Sequence, residues 1–101
     1  EGLKGFLMKA AEENGRIAAI CAAPTVLGKL GLLNGRKAIC YPGMEDGLTG
    51  AEVTVEPVVT DGNITTSRGL GTAIPFALRL IEELSGKETA DRIAESVVYQ
   101  A

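Results

Sequence analysis

A chain of 101 residues with 46% apolar side chains and a formal net charge of -3 has the composition of one small globular domain. Its acidic balance excludes the basic stripe that nucleic acid or an anionic membrane surface would require, and no apolar run reaches the roughly 20 residues that span a bilayer. Two cysteines and no histidine exclude a disulfide framework, the common zinc sites and any side chain that titrates near neutrality as a general base.

Leu3, Phe6, Leu7, Ala10 and Ala11 recur at helical spacing with charged residues between them, and Asn14-Gly15 supplies a stop. Ile17 to Cys21 follows as a short apolar run without alternation, which predicts a strand buried on both faces. Pro24 suits a first helical turn, and Thr25 to Leu30 reads as a short helix ended by Gly31. Lys37 to Tyr41 reads as a second strand, and a Gly- and acid-rich loop runs from Pro42 to Gly50. Val53 to Val59 and Asn63 to Thr66 read as two further strands joined through Asp61-Gly62, with Pro57 marking an edge or a bulge. Ile74, Ala77, Leu78, Ile81 and Leu84 mark a helix that starts at Gly71-Thr72. Ser85-Gly86-Lys87-Glu88 has the form of a capping box ahead of a last helix carrying Ala90, Ile93, Ala94 and Val97. Strands alternating with helices predict a layered α/β sandwich with a mainly parallel sheet. Only three or four strands are legible, and the chain starts at Glu1 directly in a helical pattern, so further elements are expected upstream.

The residues with chemical potential centre on Ala19-Ile20-Cys21-Ala22-Ala23. A nucleophilic residue type stands between small neighbours, at the end of a buried strand and the start of a helix. That is the layout of a nucleophile elbow, in which small flanking side chains let strand and helix approach. A thiol there would lie beside a helix N-terminus, whose positive dipole end favours thiolate. The Ala22 amide would face an oxyanion formed at the substrate. The alternative is that Cys21 is a small buried hydrophobe, as most free cysteines are.

Ala18-Ala19-Ile20-Cys21-Ala22-Ala23-Pro24-Thr25 resembles the reactive-cysteine motif of the ThiJ/PfpI superfamily. Thr66-Ser67-Arg68-Gly69-Leu70-Gly71-Thr72-Ala73 is similar to its downstream Thr-Ser-Arg-Gly-Pro-Gly-Thr segment. The resemblance covers essentially all of residues 1–101 and points to the DJ-one branch, that of the parkinsonism-associated protein. It implies a flavodoxin-like three-layer sandwich, a homodimer, and glyoxalase or disputed deglycase activity on small reactive carbonyls without a cofactor. Redox sensing or chaperone action through the same cysteine is the alternative. It also implies that residues 1–101 are the C-terminal portion of a single domain whose N-terminal strands and helices are missing. A companion N-terminal segment would then supply the assisting Glu and the Gly amides ahead of the elbow. The isolated chain is accordingly expected to be weak or inactive as a catalyst.

Tyr41 stands where many relatives carry His; it can donate a hydrogen bond to a carbonyl or oxyanion, but a pKa of roughly 10 makes it a poor base. Ala22 stands where protease-like relatives carry His, which disfavours peptidase chemistry, and the lack of histidine disfavours a glutaminase. Arg68 would bind a carboxylate or phosphate, with Gly69 and Gly71 letting the backbone come close, or would form an ordinary surface ion pair. Leu70 replaces the Pro common in relatives, so a less rigid loop is expected. Cys40 reads as structural, and a disulfide between it and Cys21 as strained and unexpected. The Glu45-Asp46 pair reads as solvated. Ile93, Val97 and Val98 belong to the core or to a dimer contact. With no signal-peptide pattern, the expected location is cytoplasmic.

Overall fold

The structure is a computed structural model that describes residues 2–13 and 15–99. Its elements are α1 (Gly2–Glu12), β1 (Ile17–Ile20), α2 (Pro24–Lys29), β2 (Lys37–Ala38), β3 (Glu52–Val53), β4 (Val58–Asp61), β5 (Ile64–Ser67), α3 (Ala73–Ser85) and α4 (Lys87–Ser96). The expected stop at Asn14 and the side chains of Leu3, Phe6 and Ala11 lie outside the described residues. Leu7 and Ala10 pack against the core as expected.

Three strands form the main sheet in the order β1-β5-β4. β5 is central: it runs parallel to β1, with Ile17 opposite Ile64 and Ile20 opposite Ser67, and antiparallel to β4, with Asp61 opposite Ile64. All four β5 residues are buried although three of them are hydroxylated. Such a strand is tolerable only where each hydroxyl finds a partner. Thr66 Oγ1 accepts from the Ile39 amide (3.0 Å), Thr65 Oγ1 meets Thr60 Oγ1 (3.0 Å), and Ser67 Oγ donates to the Pro57 carbonyl (2.7 Å).

The second strand is shorter than its sequence suggests. β2 pairs with β3 in parallel over two residues only. Beyond Ala38 the donors go elsewhere: the Ile39 amide to Thr66 Oγ1 and the Tyr41 amide to the Cys21 carbonyl (2.7 Å). These side-chain and turn partners replace a ladder. The predicted strand from Val53 to Val59 likewise divides into β3 and β4 around Thr54–Pro57, and β4 is an edge strand, as Pro57 indicated. The Asp61-Gly62 turn joins β4 to β5 as read. Arg36 Nη1 fastens it by donating to the Asp61 carbonyl and to Asn63 Oδ1, both at 2.9 Å.

The main core gathers Ile17, Ala19, Leu27, Leu33, Ala38, Cys40, Leu48 and Ile64. α3 meets β4 and β5 through a polar cluster as well as through apolar packing. Glu83 accepts from Thr60 Oγ1 (2.6 Å), Thr65 Oγ1 (3.2 Å) and Arg16 Nη1 (3.1 Å), with its side chain only 14% exposed. Removing that carboxylate takes the acceptor from the buried Thr65 hydroxyl and the half-buried Thr60 hydroxyl and leaves them only each other and Arg79. Glu83→Ala is therefore expected to lower stability by roughly 1–3 kcal/mol, read as a lower urea midpoint at unchanged slope.

The capping box at Ser85 is not formed. Ser85 is the last residue of α3, and Gly86, at φ +93°, closes α3 and opens α4 with no side-chain cap. The reversal is so tight that no separate residue remains for a cap. α4 buries Ala90, whereas Ile93 (37%), Val97 (56%) and Val98 (80%) are exposed. Of the two sequence readings of that stripe, core packing within this chain is therefore excluded for these three residues.

Candidate functional site

β1 ends at Ile20 and α2 begins at Pro24, so the chain turns from strand to helix within three residues. The Ala23 amide closes the turn on the Ile20 carbonyl (3.2 Å), and Pro24 occupies the first helical turn, where a missing N–H costs nothing. Cys21 sits at the apex with φ +64°. A side chain in this left-handed region costs about 1–2 kcal/mol that glycine would not incur. Cys21 is partly exposed. Ala22 is exposed, and among the described residues its amide has no backbone acceptor. α2 has six residues, so the helix-terminus field expected at the sulfur comes from less than two turns.

Two distant segments close on this corner. The Tyr41 amide donates to the Cys21 carbonyl (2.7 Å), which brings the Tyr41 ring alongside; the residue is 53% exposed. Gly69, buried, lies against both: a Cβ added there would stand 3.8 Å from Cys21 Sγ and 3.6 Å from Tyr41 Cδ1. Its extended backbone would suit any residue and these distances are ordinary van der Waals contacts, so Gly69 is a close neighbour of the sulfur without glycine being required there. Gly71 is exposed, and a Cβ there would meet nothing within 4 Å.

A shallow cleft of about 370 Å³ opens between Tyr41-Pro42 and residues 68–72. Arg68 lines it, and the buried Arg68 Nε has no hydrogen-bond partner, so the ordinary surface ion pair is not formed among the described residues. Cys21 is not on the cleft wall itself; its sulfur lies behind Gly69 at the cleft's edge. Leu70 is 91% exposed, yet the loop is braced rather than loose: residues 70–72 form a 3-10 turn and Thr72 Oγ1 accepts from the amides of Arg68 (3.2 Å) and Gly69 (3.0 Å). Sequence reading placed Thr72 in the family-like segment and at a helix start but gave its hydroxyl no role at the site. A hydroxyl three residues after the glycine was the available signal.

Cys40 is fully buried and donates its S–H to the Tyr41 carbonyl (3.4 Å). Both cysteines are free. Burial pushes the Cys40 thiol up from its ordinary value of 9.0, and the Glu45 carboxylate adds to the rise. Because the folded thiol holds its proton more tightly than the unfolded one, its contribution to stability is fully present below pH 9.0 and is lost as pH rises above it. Stability is expected to fall on the alkaline side of that value, and less steeply in Cys40→Ala, by urea titrations across pH 8 to about 10.5. No group of potential metal ligands forms among the described residues, and no described helix is long and apolar enough to cross a membrane.

The fold and this corner define an α/β protein that holds a strained cysteine at a strand-to-helix junction. A model of the DJ-1/PfpI family matches residues 1–83. The chain is 46% identical over 99 residues to protein dj-1beta of Drosophila melanogaster, covering 95% of this chain and 53% of that protein. It is 36% identical over 92 residues to the glutathione-independent glyoxalase DJR-1.2 of Caenorhabditis elegans, covering 88% and 49%. Among solved structures, oxidized DJ-1 from Toxoplasma gondii superposes with a TM-score of 0.90 at 40% identity, over 98% of this chain and 54% of that one. The chain belongs to the DJ-1/PfpI family, in its DJ-1 branch, and has the flavodoxin-like α/β architecture expected. It spans about half the length of the curated relatives it matches.

Proposed function

We propose that the protein converts small reactive 2-oxoaldehydes such as methylglyoxal to hydroxyacids, with Cys21 as the nucleophile. The observation that carries this reading is the Cys21 backbone at φ +64° at the strand-to-helix turn, with its sulfur beside Gly69 at the edge of a cleft. The glyoxalase activity named for the Caenorhabditis elegans relative supports it.

In the proposed reaction the sulfur adds to the aldehyde carbon and the carbonyl oxygen takes up a proton, giving a hemithioacetal. The C1 proton then moves to C2 and leaves a 2-hydroxy thioester, which water cleaves to the hydroxyacid and the free thiol. The net change is addition of one water, so no oxidant or cofactor is consumed. The Ala22 amide holds the oxyanion, Tyr41 donates a hydrogen bond to the substrate oxygen, and Arg68, with the Gly69 and Gly71 backbone, receives the polar end of the substrate. The protons move through a carboxylate supplied by an N-terminal companion segment of the same protein. A homodimer in the cytoplasm, with exposed Ile93 and Val97 at the contact, completes the proposal. Incubation of the full-length protein, companion segment included, with methylglyoxal should yield lactate; consumption without lactate would overturn the reading.

A second reading takes the same cysteine as a redox sensor oxidised to the sulfinate. The partial exposure of Cys21 beside the fully buried Cys40 favours it, and so does the oxidized state of the Toxoplasma gondii relative. Mild peroxide should add two oxygens to Cys21 in the mass spectrum, and preferential oxidation of Cys40 would sink it.

A further inference from the structure

The loop that closes on Cys21 is held by a chain of hydroxyls whose proton directions can be assigned. Ser67 Oγ donates to the Pro57 carbonyl at 2.7 Å, which uses its only proton. Its 2.7 Å contact with Thr72 Oγ1 must then be a donation from Thr72. The Gly69 carbonyl, at 3.0 Å from Thr72 Oγ1, competes for that proton over a longer distance. Both remaining lone pairs of Thr72 Oγ1 face amides, those of Arg68 (3.2 Å) and Gly69 (3.0 Å). A hydroxyl has one proton and two lone pairs to offer, so Thr72 is saturated. Hydrogen bonds running in one direction also polarise one another, which makes Thr72 Oγ1 a better acceptor for the loop amides.

This brace acts on the residue whose position matters most at the sulfur. Gly69 stands over Cys21 Sγ and against Tyr41, and its amide and carbonyl both face the Thr72 hydroxyl. Ser67, fully buried, ties the brace to the last residue of β5, so the loop is referred to the sheet rather than to solvent. We infer that Thr72, relayed through Ser67 to the Pro57 carbonyl, is a positioning residue that fixes Gly69 over the Cys21 thiol and so sets both access to the sulfur and the shape of the substrate cleft. The inference about the cleft rests on the proposed reading of Cys21 as the reacting group; the inference about access does not.

Thr72→Val keeps the shape and removes the hydroxyl, while Thr72→Ser keeps the hydroxyl. Native alkylation of the full-length protein with iodoacetamide, resolved by mass spectrometry into Cys21 and Cys40, is followed beside its methylglyoxal turnover. In Thr72→Val the Cys21 alkylation rate should rise several-fold while Cys40 stays protected, and turnover should fall roughly tenfold as the cleft loses its geometry. Thr72→Ser should restore both rates towards wild type. A structural defect alone would expose Cys40 together with Cys21, and that result would overturn the inference, as would wild-type alkylation in Thr72→Val. If the wild-type protein does not turn over methylglyoxal but the selective change at Cys21 and its rescue by serine are seen, the glyoxalase reading falls and the positioning role stands.

Discussion

In the full-length protein, Cys21→Ser is expected to lower methylglyoxal turnover by roughly 10³-fold or more, with the fold and its urea midpoint nearly unchanged. The substitution exchanges sulfur for oxygen at the apex of the turn, so the left-handed backbone, the Tyr41 amide bond to its carbonyl and the neighbouring Gly69 all persist. What changes is the nucleophile. A serine hydroxyl needs a base to take its proton before it can attack, and without histidine no side chain of this chain with an ordinary pKa near neutrality can do that. The thiol ionises far more readily. Equal rates for wild type and Cys21→Ser would remove the cysteine from the chemistry altogether. Cys21→Gly separates strain from reactivity: it is expected to be just as inactive but more stable than Cys21→Ala, because glycine relieves the cost of φ +64°.

Gly28→Ala is expected to destabilise the protein by roughly 2–3 kcal/mol, against the sign that helix propensity alone would give. Alanine within a helix is ordinarily favoured over glycine by about 1 kcal/mol. Here the added methyl would collide with the Gly47 carbonyl oxygen and come within 2.9 Å of both Leu48 Cα and Thr49 N. These are backbone atoms, which cannot swing aside as a side chain could. Gly47 faces the same crossing from the other side, where a Cβ would stand 2.7 Å from Thr25 Cγ2. α2 follows the Cys21 turn directly, so forcing the helix off the 47–49 loop should also raise the alkylation rate of Cys21. A urea midpoint equal to or above wild type would show that the two segments can part at little cost.

Much of the fold was legible because local rules and burial agreed. Pro24 at the first helical turn, Gly31 after α2 and the Asp61-Gly62 hairpin all lie where their backbone preferences place them, and the apolar run before Cys21 forms β1, although Ala18 is exposed where burial on both faces was expected. The readings that went astray did so where a tertiary partner took a donor or a residue was shared. The strand expected through Tyr41 stops at Ala38 because the Ile39 and Tyr41 amides find Thr66 Oγ1 and the Cys21 carbonyl. The capping box failed because Gly86 serves two helices at once.

The sequence alone determined the identity of the reactive candidate and its corner, since a nucleophilic side chain flanked by small residues between a buried strand and a helix is a local pattern that chain order fully expresses. It also carried the family. Only the tertiary structure decided what faces that thiol. Gly69 and Tyr41 reach Cys21 from positions 48 and 20 residues away in the chain, and the Thr72 hydroxyl that holds Gly69 is set by a relay ending at Pro57. Hydrogen-bond saturation and close backbone approach are properties of atoms brought together in space, and no spacing along the chain encodes which of several hydroxyls or glycines will supply them.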